Sequence, residues 1–355
     1  MTAPGASAAV DVGDERAAYL ELIGRADERG AVGLVLGLLE DGVAAETLLL
    51  ELIAPAQRRV GELWAANRWS VAREHGATAV SERAVAAIAT RAVGEGAPAR
   101  GRITVACTDG EYHALPTRLL AEVLRLRGWH VDFLGASVPG PHLITHLHRT
   151  GPDVVALGCA LATRLPRAHA TLTACQAVGV PVLAGGSGFG GDGRFARLLG
   201  ADAWAPTADA AADLLTDEGL SVFPSPAEAP AHLSDEEYTH LTRRRGDLLP
   251  RAMTALTRAY PPMASYDARR LDATAEDLGH LLDFLSSALY VDDTGLFADF
   301  VGWTAGVLRA RRVPAGALEA GLRVFHDELR DFPRARRILT RGIGAARDAG
   351  ADWET

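Results

Sequence analysis

The sequence contains no lysine; all 36 of its Lys/Arg positions are arginine. That absence excludes a lysine Schiff base to pyridoxal phosphate or retinal, and it excludes the nucleotide-binding loop whose lysine contacts phosphates. Cysteine is scarce, with only Cys107, Cys159 and Cys175. Two of these sit inside apolar strand-like runs, so buried free thiols are expected, with neither a disulfide framework nor a zinc site. No apolar run approaches the roughly 20 residues of a membrane helix. Met1 to Gly13 lack the basic stretch and apolar run of a secretory signal. Positive charge is in deficit: the net charge is −9, where nucleic-acid binding calls for a basic surface. Arg243-Arg244-Arg245 reads as a solvated helix face. These absences lead to the expectation of a cytoplasmic protein with no membrane and no direct DNA contact.

What is present falls into three regions along 355 residues. Apolar residues recur at helical spacing in Tyr19, Leu20, Leu22 and Ile23, then in Val35, Leu36 and Leu39. Further helices are expected over 44–66 and 71–93, giving a small bundle. From residue 100 the character changes to short apolar runs: Ile103–Ala106, Val131–Leu134, Val154–Leu157 and Val180–Ala184. Helical patterns separate them, which is the alternation of a Rossmann-like parallel sheet covered by helices. Pro224 to Ala231 reads as a Pro/Ala linker. Beyond it, Leu278, Leu281, Leu282 and Leu285 form an amphipathic stripe, as do Phe297, Phe300, Val301, Thr304 and Leu308, and then Leu318, Leu322, Phe325 and Leu329. The expected plan is a multi-domain α and α/β chain. It has a disordered arm at 1–13, a helical-bundle cap at 14–95, a Rossmann-like parallel-sheet domain at 96–222, a linker at 223–234 and a C-terminal all-helical domain at 235–355.

The segment Cys107-Thr-Asp-Gly-Glu-Tyr-His113-Ala-Leu-Pro116 follows the first strand directly, and loops at the carboxyl ends of parallel strands form the binding crevice. Imidazole is a good transition-metal ligand, and a nearby carboxylate such as Glu111 can fix its tautomer. A lone loop histidine is open to a surface or core reading as well. The wider pattern resembles cobalamin-binding domains, whose Asp-x-His-x-x-Gly is followed by Ser-x-Leu and then Gly-Gly. Here Glu111-x-His113-x-x-Pro116, Gly158 to Leu161, and Gly185-Gly186 occupy those places. The resemblance implies that His113 ligates cobalt, that Glu111 supports it, and that Leu161, Gly185 and Gly186 line the nucleotide tail. Two departures stand out. Pro116 replaces the glycine, and Gly158 replaces the serine that bonds the dimethylbenzimidazole nitrogen.

In the bundle, Trp64 is followed after nine residues by Glu74-His75. By themselves these read as a core aromatic and a surface pair. The spacing resembles the Trp-x9-Glu-His signature of adenosylcobalamin-dependent photoreceptors, the light-responsive repressors of carotenoid genes. It implies a cap in which Trp64 packs over the adenosyl group, Glu74 and His75 contact it, and Val71 lies beside them. Those repressors carry, after the tryptophan, a histidine that takes the upper cobalt position after light. Here that residue is Ala65. They also begin with a helix-turn-helix domain, for which residues 1–13 leave no room.

The order of cap, cobalamin domain and helical C-terminal domain resembles the photocobilins, which pair cobalamin with biliverdin in a globin-like domain. His280-Leu-Leu-x-Phe284 through Asp293-x-x-x-Phe297-x-x-Phe300-Val301-x-Trp303 and on to Val313-Pro314 carries that likeness. No cysteine follows Cys175, so a bilin would bind without a thioether link. Tyr266, His280, Trp303 and Arg311 are the expected contacts, with arginine meeting propionates. The resulting expectation is a light sensor, not an enzyme, that forms a dimer or tetramer and signals to an unidentified output protein. The alternative is a corrinoid shuttle of a methyltransferase system, which has no use for an adenosyl pocket. A haem- or cobalamin-binding regulator without photochemistry, using His280 as a haem ligand, is a third reading. A bare packing or dimerisation module is the plainest reading of 235–355.

Overall fold

The computed structural model describes residues 12–92, 100–217 and 230–351. The chain divides into two compact units. One comprises residues 1–158, 175–186 and 203–222, the other 159–174, 187–202 and 223–355. In the first unit a helical bundle comes first: α1 (Gly13–Gly24), α2 (Glu28–Glu40), α3 (Ala45–Thr47), a π-helical segment Leu48–Ile53, α4 (Ala54–Ala65) and α5 (Val71–Ala92). Asp27 starts α2 by accepting from Gly30 N at 2.9 Å, which satisfies one orphan donor of the first turn. Val12 is fully buried and α1 begins at Gly13. Both residues therefore belong to the bundle and not to the arm expected over 1–13, whose remainder lies outside the described residues.

The single helix expected over 44–66 is interrupted by the π-helical segment. Leu48, Leu49, Leu52 and Ile53 are all fully buried. All four face the core, as i, i+1, i+4 and i+5 fall on one side of a helix.

Five parallel strands follow: β1 (Arg102–Cys107), β2 (His130–Gly135), β3 (Val154–Gly158), β4 (Val182–Gly185) and β5 (Ala203–Ala205), in the order β2-β1-β3-β4-β5. β5 was not expected, because three residues Ala-Trp-Ala carry no period of their own. The strand order reverses between β1 and β3, and right-handed crossovers place α6 (Ala114–Leu126) and α7 (Gly140–Thr150) on opposite faces. α10 (Ala208–Asp217) lies beside α6. Ile103, Val105, Ala156 and Leu183 meet Leu119, Val123 and Leu124 of α6, and this core is continuous with Ile23, Leu52 and Val85 of the bundle.

Arg127, at the end of α6, links the parts electrostatically. It bonds Glu46 twice, at 2.6 and 3.2 Å, and also bonds Asp213 of α10. These two acids raise its pKa further. Glu122 is buried and is neutralised by Arg118 at 2.6 Å and Arg125 at 2.7 Å.

The second unit holds α8 (Leu165–Ala177) over residues 165–174, α9 (Arg194–Leu198), and then α11 (Glu237–Ala259), α12 (Ala268–Val291), α13 (Thr294–Ala310), α14 (Ala315–Glu328) and α15 (Pro333–Ala351). Most of the expected stripe residues form its core: Leu282, Leu285, Phe297, Val301, Leu322 and Phe325 are all at most 1% exposed, whereas Phe300, Thr304 and Leu308 are half-buried. Glu237 caps α15, accepting from Arg334 N at 3.0 Å and Ala335 N at 2.8 Å. His169 Nδ1 meets Tyr290 OH at 2.7 Å, and Arg194 pairs with Asp293 at 3.2 Å. Most of the expected linker falls outside the described residues. No described helix is long and apolar enough to cross a membrane.

Candidate functional site

The loop between β1 and α6 is organised around Glu111. Gly110 has φ of 78°, which glycine adopts without steric cost, and Glu111 N then donates to Thr108 O at 2.9 Å. The loop after β2 clamps this turn. Ser137 N donates to Glu111 O at 2.8 Å, and Gly110 N donates to Ser137 Oγ at 3.1 Å. Glu111 is held at 1% exposure, where a carboxylate requires donors. His113 supplies two: its backbone N lies 2.9 Å and its Nδ1 2.6 Å from Glu111 Oε1. The His113 side chain is 59% exposed and sits at the N-cap of α6. With Nδ1 turned to the carboxylate, Nε2 is the nitrogen positioned for a metal.

Among the described residues no group of three His, Cys, Asp or Glu side chains forms a metal cage. A metal at His113 must bring its other ligands with it, as the cobalt of a corrin does. Glu111→Gln is expected to keep the fold and lower cobalamin affinity by about 10- to 100-fold, the usual effect of losing a carboxylate behind a ligating histidine. Equilibrium titration of cobalamin checks it.

The carboxyl ends of the strands form a row of small residues. Cys107 pairs in register with Gly158, Gly158 with Gly185, and Gly185 with Ala205. Register partners in a parallel sheet point to one face, so this row lies on one side of the sheet, with Thr117 of α6 over Gly158. A Cβ added at Gly158 would collide with Thr117 Oγ1, and Thr117 is buried and accepts from Cys107 Sγ at 3.3 Å. A hydroxyl from α6 thus lies where a side chain at 158 would stand. Sequence reading missed Thr117 because only the three-dimensional register sets it over Gly158. Gly158→Ser is expected to cost about 1–3 kcal/mol by overpacking. Adding Thr117→Ala should restore most of that in urea denaturation. Burial raises the Cys107 thiol pKa, and all three cysteines are buried.

In the bundle, Trp64 lies half-buried at the end of α4. Glu74 Oε2 meets His75 Nδ1 at 2.5 Å, and Thr78 Oγ1 lies 3.1 Å from both Glu74 Oε1 and Gln57 Oε1. Gln57 Nε2 donates to Ser81 Oγ at 2.6 Å, and Tyr19 OH meets the same hydroxyl at 3.1 Å. Burial pushes the Tyr19 pKa up to about 12. Glu74 is therefore fixed by a chain of groups reaching into the bundle core. The His75 side chain is 73% exposed, Val71 55% and Tyr112 74%. Such open apolar and imidazole surface next to Trp64 and His113 in sequence suits a large flat cofactor.

Gly186 has φ of 102°, and Leu161 precedes a 3-10 turn in the second unit. Of the expected bilin contacts, Tyr266 lines a cavity in the C-terminal helices together with Asp277. Burial raises the Asp277 pKa, which His280 and Arg311 both pull down. His280 is exposed on α12. Trp303 is 51% exposed, its ring 6.3 Å from Phe300, which stacks on Phe284 at 3.6 Å. Arg311 Nη1 donates to Val307 O at 3.1 Å.

Sheet, small-residue row and carboxylate-backed histidine define a cobalamin-binding module. Residues 101–215 match the family described as B12 binding domain, and residues 15–89 match a second family of the same description. The chain is 35% identical over 126 residues to the HTH-type transcriptional repressor CarA of Myxococcus xanthus; this covers 34% of the chain and 42% of that protein. The chain thus spans less than half the length of that relative. Among solved structures, the monomethylamine corrinoid protein of Methanosarcina barkeri has 18% identity, with a TM-score of 0.49 over 56% of this chain and 94% of its own. A cobalamin-binding protein from Desulfitobacterium hafniense has 19% identity, with a TM-score of 0.32 over 56% of this chain and 96% of its own.

Proposed function

We propose that the chain is a cytoplasmic light sensor that binds adenosylcobalamin, with a biliverdin bound non-covalently in the C-terminal helices. The observation that carries the first part is the fixed Glu74-His75 pair on α5 of a bundle that shares one core with the His113 domain. When bound, adenosylcobalamin supplies a cobalt–carbon bond that visible light cleaves. His113, oriented by Glu111, would hold the metal, and Trp64, Glu74 and His75 would hold the adenosyl group. Binding energy from those three residues would then favour one position of the bundle only while that group is bound. Ala65 would supply no replacement ligand, leaving water or another histidine to fill the vacated position. The output is a change in self-association or in contact with a partner protein.

The test is an absorption spectrum of protein reconstituted in darkness with adenosylcobalamin and biliverdin, recorded before and after green and then red light. The proposal expects cobalamin bands that change with green light and a separate bound red band. Cobalamin bands indifferent to light would leave the chain as a methyl-carrying corrinoid protein. Biliverdin that elutes free would confine the sensor to one chromophore.

A further inference from the structure

A chain of polar groups crosses the interior of the bundle and ends at Glu74. Glu74, Thr78 and Ser81 stand at i, i+4 and i+7 on α5, a spacing that puts them on one face of the helix. Gln57 of α4 and Tyr19 of α1 bond to that face. Tyr19 and Ser81 are fully buried, whereas the Glu74 side chain is 28% exposed. The chain therefore runs from the core to the surface. Taking polar groups out of water costs free energy unless each is bonded, and apolar side chains of the same shape are often as stable in such places. Stability alone does not call for this chain.

Gln57 Nε2 donates to Ser81 Oγ at 2.6 Å and to Ala77 O at 3.4 Å, and Tyr19 OH donates to Ser81 Oγ at 3.1 Å. Ala77 O can only accept, which turns the amide nitrogen to that side and leaves Gln57 Oε1 facing Thr78. The Thr78 hydroxyl then has one hydrogen for two acceptors, Gln57 Oε1 and Glu74 Oε1, each at 3.1 Å. At the other oxygen, Glu74 Oε2 lies 2.5 Å from His75 Nδ1. A carboxylate accepts at about four lone-pair sites, so one contact on each oxygen leaves further acceptor capacity on both. Two acceptors a carboxylate's width apart match the two O–H donors of a vicinal diol, and the ribose of an adenosyl group carries one. A glutamate already tethered at both oxygens loses less rotamer freedom when it takes up such a ligand.

We infer that Thr78, backed by Gln57 and through it by the buried Ser81 and Tyr19, is the positioning residue for Glu74: it holds the carboxylate in the orientation that receives both ribose hydroxyls. Thr78 thereby sets the preference for the adenosyl over the hydroxo form of the cofactor through Glu74, without touching the ligand. That the ligand is the adenosyl group rests on the function proposed above; the hold of Thr78 on Glu74 does not.

The experiment titrates the full chain in the dark with adenosylcobalamin and, separately, with hydroxocobalamin, which lacks the adenosyl group. Glu74→Gln is expected to weaken adenosylcobalamin roughly tenfold. Thr78→Val should reproduce that roughly tenfold loss and leave hydroxocobalamin within about twofold of the parent. Thr78→Ser, which returns the hydroxyl, should restore adenosylcobalamin binding. In a Glu74→Gln chain, Thr78→Val should add less than about twofold, because it acts through the carboxylate. Thermal unfolding checks that each variant is folded, and Thr78→Ala repeats the deletion without the extra methyl group. Adenosylcobalamin affinity unchanged in Glu74→Gln overturns the adenosyl reading on which the inference rests. Where Glu74→Gln does weaken it, the inference alone is overturned if Thr78→Val binds adenosylcobalamin as the parent does, weakens both cobalamins equally, is not rescued by serine, or loses as much again in the Glu74→Gln chain.

Discussion

His113→Ala is expected to lower cobalamin affinity by at least about 100-fold and to abolish the spectral signature of a protein imidazole on cobalt. The expected loss exceeds the roughly 10- to 100-fold typical of removing a group behind a metal ligand, because here the ligand itself goes. The substitution should leave the fold intact, since the His113 side chain is 59% exposed and contributes little packing. It also strands Glu111, at 1% exposure, without its imidazole donor. A modest loss of stability, about 1–3 kcal/mol, should therefore accompany the loss of binding. Equilibrium titration with cobalamin and thermal unfolding of the unliganded chain separate the two effects. A variant that binds as the parent does would place the metal elsewhere.

Trp64→Ala is expected to discriminate between forms of the cofactor. The indole lies half-buried at the end of α4, and on the proposed reading its apolar face meets the adenosyl group. Removing it should weaken adenosylcobalamin by about 1.5–3 kcal/mol, or roughly 10- to 100-fold, and leave hydroxocobalamin nearly unchanged. Paired titrations of the two forms give this ratio. An equal loss for both would mean that Trp64 packs the bundle rather than an adenosyl group, and would favour the corrinoid-shuttle reading.

The fold was legible where period and punctuation agree. Val154–Gly158 stands out as a buried apolar run, and the Leu278/Leu281/Leu285 stripe faces the core as its spacing requires. Local pattern failed where tertiary context decides. β5 is three residues of Ala-Trp-Ala held by pairing with β4, and the π-helical turn at Leu48–Ile53 carries four buried apolar side chains. The Glu111–His113 pair was legible because the two residues are two apart and bond directly. Thr117 was not, because its position over Gly158 depends on how α6 crosses the sheet. In the C-terminal helices the aromatic and charged residues that catch the eye, Trp303 and His280, are exposed.

The most direct test of His113 as the cobalt ligand is electron paramagnetic resonance of the chain loaded with cob(II)alamin, comparing unlabelled protein with protein carrying 15N-histidine. Nitrogen bound axially to cobalt splits each hyperfine line, into three for the natural isotope and two for 15N. The account predicts triplets that become doublets on labelling and that vanish in His113→Ala. Triplets that persist in the labelled protein would show the cofactor's own benzimidazole on the metal, and would contradict a site built on Glu111 and His113.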